Sequence, residues 1–240
     1  MGSELQDIWA FLAESPLLGL TATLVAFSAG QWLWRRLGRS PLVHPVLLAI
    51  ALLIAFLAAT GTDYETYFEG AQFVHFLLGP ATVALAVPLF DQLPRIREQL
   101  LPIAAAVVLG SVSAALSAVL IGAALGASRE TLLSLAPKSV TSPIAMGITE
   151  RLGGLPSLTA GLVLITGALG CLLAPLVFRL LRIRDEAAQG LALGLTAHGF
   201  GTAQAFGIGP LAGAFAGLGL GLAGLVTALL APLLAPLLGG

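Results

Sequence analysis

Long apolar runs dominate this chain, and polar residues collect between them. Runs of the roughly 20 mostly apolar residues that a helix needs to cross a bilayer occur near 17–34, 41–60, 70–91, 100–126, 155–181 and 209–238. Two further stretches, 131–152 and 187–207, are less regular, with Gly, Ser, Thr or Pro and polar groups in mid-segment. The pattern predicts an all-α polytopic membrane protein of about 7–8 transmembrane segments, some broken or re-entrant, in a single domain over 1–240.

Proline inside a helix removes a hydrogen bond and clashes with the preceding turn. In hydrocarbon such a break is tolerated only where protein, side chains or water satisfy the freed backbone. Segment 70–91 has Gly79 and Pro80 at its centre, and 187–207 has Gly199 and Gly201 around His198, Thr202 and Gln204. Pro137 and Pro143 interrupt 131–152. Gly79-Pro-Ala-Thr82 faintly matches Gly199-Phe-Gly-Thr202, and His44-Pro-Val-Leu-Leu-Ala-Ile50 matches Ser142-Pro-Ile-Ala-Met-Gly-Ile148. Interrupted segments in corresponding positions of two halves suggest an inverted repeat and a transporter site near the midplane. The competing reading is that Gly and Pro are simply frequent in membrane helices.

Charge refines the topology. Arginines mark the cytoplasmic side, so Arg35, Arg36 and Arg39 after the first span place the acidic N-terminus outside. Asp63, Glu65 and Glu69 then fall outside, and Arg95 and Arg97 inside. If every later segment crosses, Arg179, Arg182 and Arg184 emerge on the wrong side. A re-entrant 131–152 returns them inside. Eight plain spans with one poorly obeyed loop is the other topology that fits.

Composition agrees with a membrane protein. Only 10% of residues are charged, against about 25% in soluble domains, 58% are hydrophobic and mean hydropathy is +0.99. A net charge of −1 gives no footprint for nucleic acid. The lone Cys171 allows no intrachain disulfide and no cysteine cluster for metal. Neither metal nor cofactor is expected, and the N-terminus lacks the positive region of a cleaved signal.

One cation stands apart. Lys138, in "APKSVTSPIAMGI", is the single lysine beside ten arginines. An ionisable group inside a membrane segment usually faces a cavity or a partner, although a lysine nine residues from Arg129 can also snorkel to the interface. With Ser139, Thr141, Ser142 and the free N–H groups of a helix beginning near Pro143, it makes a candidate carboxylate site. All twelve carboxylates lie in termini, loops or segment ends, so no buried acidic pair suggests a proton relay. His198 is the candidate proton-coupling group, with packing as its alternative role, and His44 and His75 are weaker. Catalysis is not expected. No nucleophile elbow, His-Glu-x-x-His pair or phosphate loop is present, and Lys138 next to Ser139 in sequence does not make a dyad.

"APKSVTSPIAMGI", "GAQFVHFLLGPATVALAVPL" and "GLALGLTAHGFGTAQA" resemble, in order, the LrgB/CidB family of bacterial membrane proteins. That family includes the C-terminal half of the plastidial glycolate/glycerate translocator. The resemblance implies a bacterial cytoplasmic-membrane location and two functional classes. One is a secondary transporter of small monocarboxylates such as glycolate, glycerate or pyruvate. The other is a holin- or antiholin-like regulator of murein hydrolase activity and autolysis. By motif it points to Gly79, Pro80 and Thr82, to Pro137, Lys138, Ser139, Thr141, Ser142 and Pro143, and to His198, Gly199, Gly201 and Thr202. A small carboxylate, the lipid bilayer, an LrgA/CidA-like membrane protein and a second copy of the chain are the candidate partners.

Overall fold

The computed structural model describes residues 16–38, 45–84 and 86–234; His44 and the side chains of His75 and Thr82 lie outside this description. Among the described residues the chain is entirely helix and connecting turn. It divides into two compact units, residues 1–84 and 85–240.

In the first unit, α1 (Pro16–Arg36) and α2 (Pro45–Thr60) are apolar, followed by α3 (Tyr64–Phe76) and α4 (Leu78–Ala84). α1 packs on α2 and α3. Across the α1–α3 contact the Thr23 hydroxyl, which also donates to Gly19 O at 2.8 Å, lies 2.8 Å from the Tyr67 hydroxyl. The Arg36 guanidinium lies over the Trp32 ring at 5.2 Å, a cation–aromatic contact at the arginine-bearing end of α1. The expected span 70–91 is not one helix. It breaks at Leu77, just before Gly79 and Pro80, and Pro80 sits in the first turn of α4, where a missing N–H costs little.

The second unit opens with two short helices, α5 (Ala86–Asp91) and α6 (Leu93–Glu98), and then the long α7 (Leu100–Ala124). α8 (Arg129–Leu135) and α9 (Ser142–Leu152) follow, then α10 (Pro156–Leu180), α11 (Glu186–Ile208) and α12 (Pro210–Leu234). α1, α7, α10 and α12 are each long and apolar enough to cross a membrane, and α2, at 16 residues, is a shorter apolar helix. These match the spans expected near 17–34, 100–126, 155–181 and 209–238.

The two irregular stretches are helical hairpins. In the first, α8 and α9 run in and out around residues 136–141. Leu133 and Ser134, near the end of α8, lie against Gly154, just past the end of α9, and Ser134 Oγ accepts a 2.8 Å bond from Leu155 N. Thr159 of α10 donates to Ser134 O and pairs with Thr149 at 2.8 Å. This buried hydroxyl cluster pins both ends of the hairpin to the start of α10. Ser134→Ala is expected to strand the Leu155 N–H and cost about 1–3 kcal/mol. Thermal unfolding in detergent checks it, with the exposed Ser117, changed to alanine, as a neutral control.

The second hairpin lies inside α11. A continuous helix of 23 residues would hold its ends about 34 Å apart. Here Gly209 lies against the Glu186 carboxylate, Gly201 is in backbone contact with Leu193 O, and Leu193 and Ala205 share one apolar cluster. The chain therefore folds back at His198, whose φ of 41° and ψ of −124° are not helical. Its first arm packs tightly on α12, with Gly190 and Gly194 against the carbonyls of Ala212 and Ala216. Any side chain at those two glycines would push the helices apart, the reason that small residues line close helix pairs.

The hairpins open at opposite ends of the unit. Arg95, before α7, bonds Asp185, after α10, at 2.7 Å, so the start of α7 and the end of α10 share the end where the second hairpin opens. At the other end of α7, Gly122 meets Leu132 and Leu135 of α8, which places the mouth of the first hairpin there. A core of Val107, Val140, Val163, Leu195 and Phe215 joins the long helices to both hairpins.

Candidate functional site

Lys138 lies at the tip of the first hairpin. Leu135 O accepts from Lys138 N at 3.2 Å as α8 ends, and Pro137 O accepts from Val140 N at 3.2 Å. Pro137 cannot continue an α-helix, which accounts for the non-helical turn, and Pro143 in the first turn of α9 starts the next. The backbone is anchored by buried Pro137 and Val140, whereas Lys138, Ser139, Thr141 and Ser142 are only part-buried. Lys138 Nζ donates to Ser139 Oγ at 3.2 Å. Among the described residues it makes no ion pair. Thr141 is the N-cap of α9, yet its side chain does not cap it. The tip thus gathers an ammonium group, three hydroxyls and helix N–H groups, with no anion supplied by the described residues.

His198 is the tip of the second hairpin and is 4% exposed. Its Nε2 lies 3.0 Å from Val163 O; a carbonyl only accepts, so Nε2 carries a proton, and in the neutral ring Nδ1 keeps its lone pair. The ring meets Phe200 edge-on at 5.9 Å and packs where Gly167 leaves room for it. Thr202 donates to His198 O at 2.9 Å, which satisfies a carbonyl at the break. The break falls on His198 itself, with Gly199 and Gly201 on the outgoing arm. Gly201 is where the two arms touch.

The tips share one depth. α9 and α10 run antiparallel from the Gly153–Gly154 turn, with Thr149 opposite Thr159. Carried along that register, Ser142 comes level with the Thr166–Gly167 turn of α10, where His198 packs. Gln204 is elsewhere. It lines a cavity with Gln189 and three arginines at the mouth of the second hairpin. Gly79, Pro80 and Thr82 belong to the other unit.

Ser111 is a polar group that the sequence reading passed over. It lies on the buried face of α7 with Val107 and Ala115, and its buried hydroxyl oxygen has no hydrogen-bond partner among the described residues. Its neighbour Gly110 touches Leu195, so it lies beside the inner part of the second hairpin. The available signal was a run of small hydroxylated residues, Ser111, Ser113 and Ser117, within an otherwise apolar span.

Four helices of membrane-spanning length, with two polar-tipped hairpins opening at opposite ends of one unit, define a helical membrane protein. The chain belongs to the LrgB-like family, which matches residues 23–237. It is 40% identical to the uncharacterized protein YxaC of Bacillus subtilis over 79% of this chain and 82% of that protein. It is 35% identical to YwbG of the same organism, also uncharacterized, over 85% and 90%. With the antiholin-like protein LrgB of Bacillus cereus it shares 29% identity over 88% and 91%. No solved structure matches it.

Proposed function

We propose that this protein carries small monocarboxylates, 2-hydroxy or 2-oxo acids such as glycolate, glycerate or pyruvate, across a bacterial cytoplasmic membrane. The observation that carries the reading is Lys138, a cation at the tip of a hairpin whose side-chain partner among the described residues is a hydroxyl. An unpaired charge in an apolar protein is costly, and a carboxylate arriving between Lys138 and the α9 N–H groups would offset that cost. Ser139, Thr141 and Ser142 would read the second oxygen of the acid, with Ser111 and Thr202 as further hydroxyls.

Two hairpins opening at opposite ends suit alternating access, one gating each side of a central site. Their opposite openings support an inverted repeat that pairs 129–152 with 186–208, beside the pairing of 70–91 with 187–207 that the sequence motifs suggest. With both hairpins re-entrant, Arg95, Arg97, Arg179, Arg182 and Arg184 lie on one side, which the positive-inside rule makes cytoplasmic. By the same rule, Arg35, Arg36 and Arg39 after the first span would put the N-terminus outside. His198 is the proton-coupling group of this scheme through Nδ1, and uptake that ignores an imposed pH gradient would remove that role.

A second reading rests on the comparisons, which favour it over transport: a family relative is called antiholin-like. In that reading the chain regulates murein hydrolase activity, with a small LrgA/CidA-like protein or a second copy of itself as partner. Uptake of labelled pyruvate, glycolate and glycerate into proteoliposomes separates the two. Saturable uptake with cross-competition among the acids is expected. Folded protein that takes up none of them, with a small partner supplied, would leave regulation as the function.

A further inference from the structure

The chain leaves α10 through a turn at Arg182, φ 55°. Arg182 N donates to Arg179 O at 3.3 Å and Ile183 N to Phe178 O at 2.8 Å. This is the bond pair of a Schellman turn, whose left-handed position normally takes glycine because a Cβ is strained there. Elsewhere among the described residues the chain obeys that preference, with Gly38, Gly61, Gly126 and Gly153 at positive φ. His198, at the hairpin tip, is the other exception. In a chain with 29 glycines, an arginine at such a turn directs attention to what its side chain does there.

That side chain lines a cavity of about 450 Å³ together with Arg179 and Arg184, a volume within the range of small-molecule sites. The adjacent carboxylate, Asp185, is occupied by Arg95 at 2.7 Å. Among the described residues no ion pair engages the three cavity arginines. Three guanidinium groups exceed what one monocarboxylate neutralises, and their planar forks match phosphate oxygens. Gln189 and Gln204, one from each arm of the second hairpin, add neutral donors and acceptors, and Phe178 and Ile208 supply apolar wall.

We propose that this cavity is a binding site for a phosphate group, carried either by an anionic phospholipid headgroup or by a soluble phosphate ester. Basic pockets between membrane helices at the cytoplasmic side bind lipid headgroups in this way. Both hairpin arms and the end of α10 line the cavity, so an occupant ties the mouth of the hairpin to α10.

The test is thermal unfolding of the full chain in detergent, titrated separately with short-chain phosphatidylglycerol and with glycerol 3-phosphate. The proteins are wild type, Arg182→Gly, the double variant Arg179→Gln/Arg184→Gln, and Arg151→Gln at the opposite end of the unit. Arg182→Gly relieves the turn and is expected to unfold at a higher temperature than wild type, yet to need at least about tenfold more ligand for the same shift. The double variant should lose the ligand shift, and Arg151→Gln should keep it. A shift with the lipid alone identifies a headgroup site, and an equal shift with glycerol 3-phosphate identifies a soluble ligand. No shift with either ligand, or one undiminished in Arg182→Gly and the double variant, overturns the proposal.

Discussion

Lys138→Ala is expected to cut saturable carboxylate uptake at least about tenfold while leaving the protein at least as stable as wild type. A charge-assisted hydrogen bond is worth about 1.5–3 kcal/mol, which corresponds to a loss of roughly tenfold to more than a hundredfold in uptake efficiency. Stability should move the other way. Lys138 is part-buried, its partner is a hydroxyl, and it forms no ion pair among the described residues. Removing such a cation from the empty protein therefore relieves a desolvation cost. Gain of stability with loss of function is the signature of a residue retained for its chemistry. Lys138→Arg should rescue only weakly, because buried Pro137 and Val140 fix the turn and a planar fork cannot take the place of a compact ammonium group. Thermal unfolding and proteoliposome uptake on the same preparations check both halves. Wild-type uptake in Lys138→Ala would remove the lysine from the site.

The long helices were legible because length and apolarity suffice to specify them, and α1, α7, α10 and α12 lie where those runs are. The first hairpin was half-legible. Pro137 and Pro143 marked the break, and the arginine count favoured re-entry over an extra crossing. The interruption inside α11 was legible from Gly199 and Gly201, but the full fold-back was not. Its sequence contains no proline, and the break falls on His198, one residue before Gly199. What makes the turn is tertiary: the space Gly167 leaves for the imidazole, the Val163 carbonyl that holds Nε2, and the close contact of Gly190 and Gly194 with α12. Gln204 shows the consequence. Two residues after Thr202 it reads as a neighbour of His198, but the outgoing arm carries it back toward Gln189 at the hairpin mouth. Thr82 falls outside the described side chains.

His198→Gly is expected to be more stable than His198→Ala, the reverse of their order in a continuous helix. Both substitutions lose the bond to Val163 O, worth about 0.5–1.5 kcal/mol, and the packing of the ring on Gly167. They differ in the backbone. At φ 41° and ψ −124° a residue with a Cβ lies outside every favoured region, a strain of about 1–3 kcal/mol that alanine keeps and glycine escapes. Within a straight helix alanine would instead lead glycine by about 1 kcal/mol. The sign of the difference therefore reports the fold-back directly, and thermal unfolding of the two variants measures it. Alanine at or above glycine would mean that the chain runs helically through residue 198, and the second gate would go with it. The expected order has a functional side as well. The bond to Val163 O holds the strained tip of the second hairpin against α10, so both variants should loosen that hairpin and admit leak. Because glycine removes the strain that favours release, His198→Gly should leak less than His198→Ala in the same vesicles.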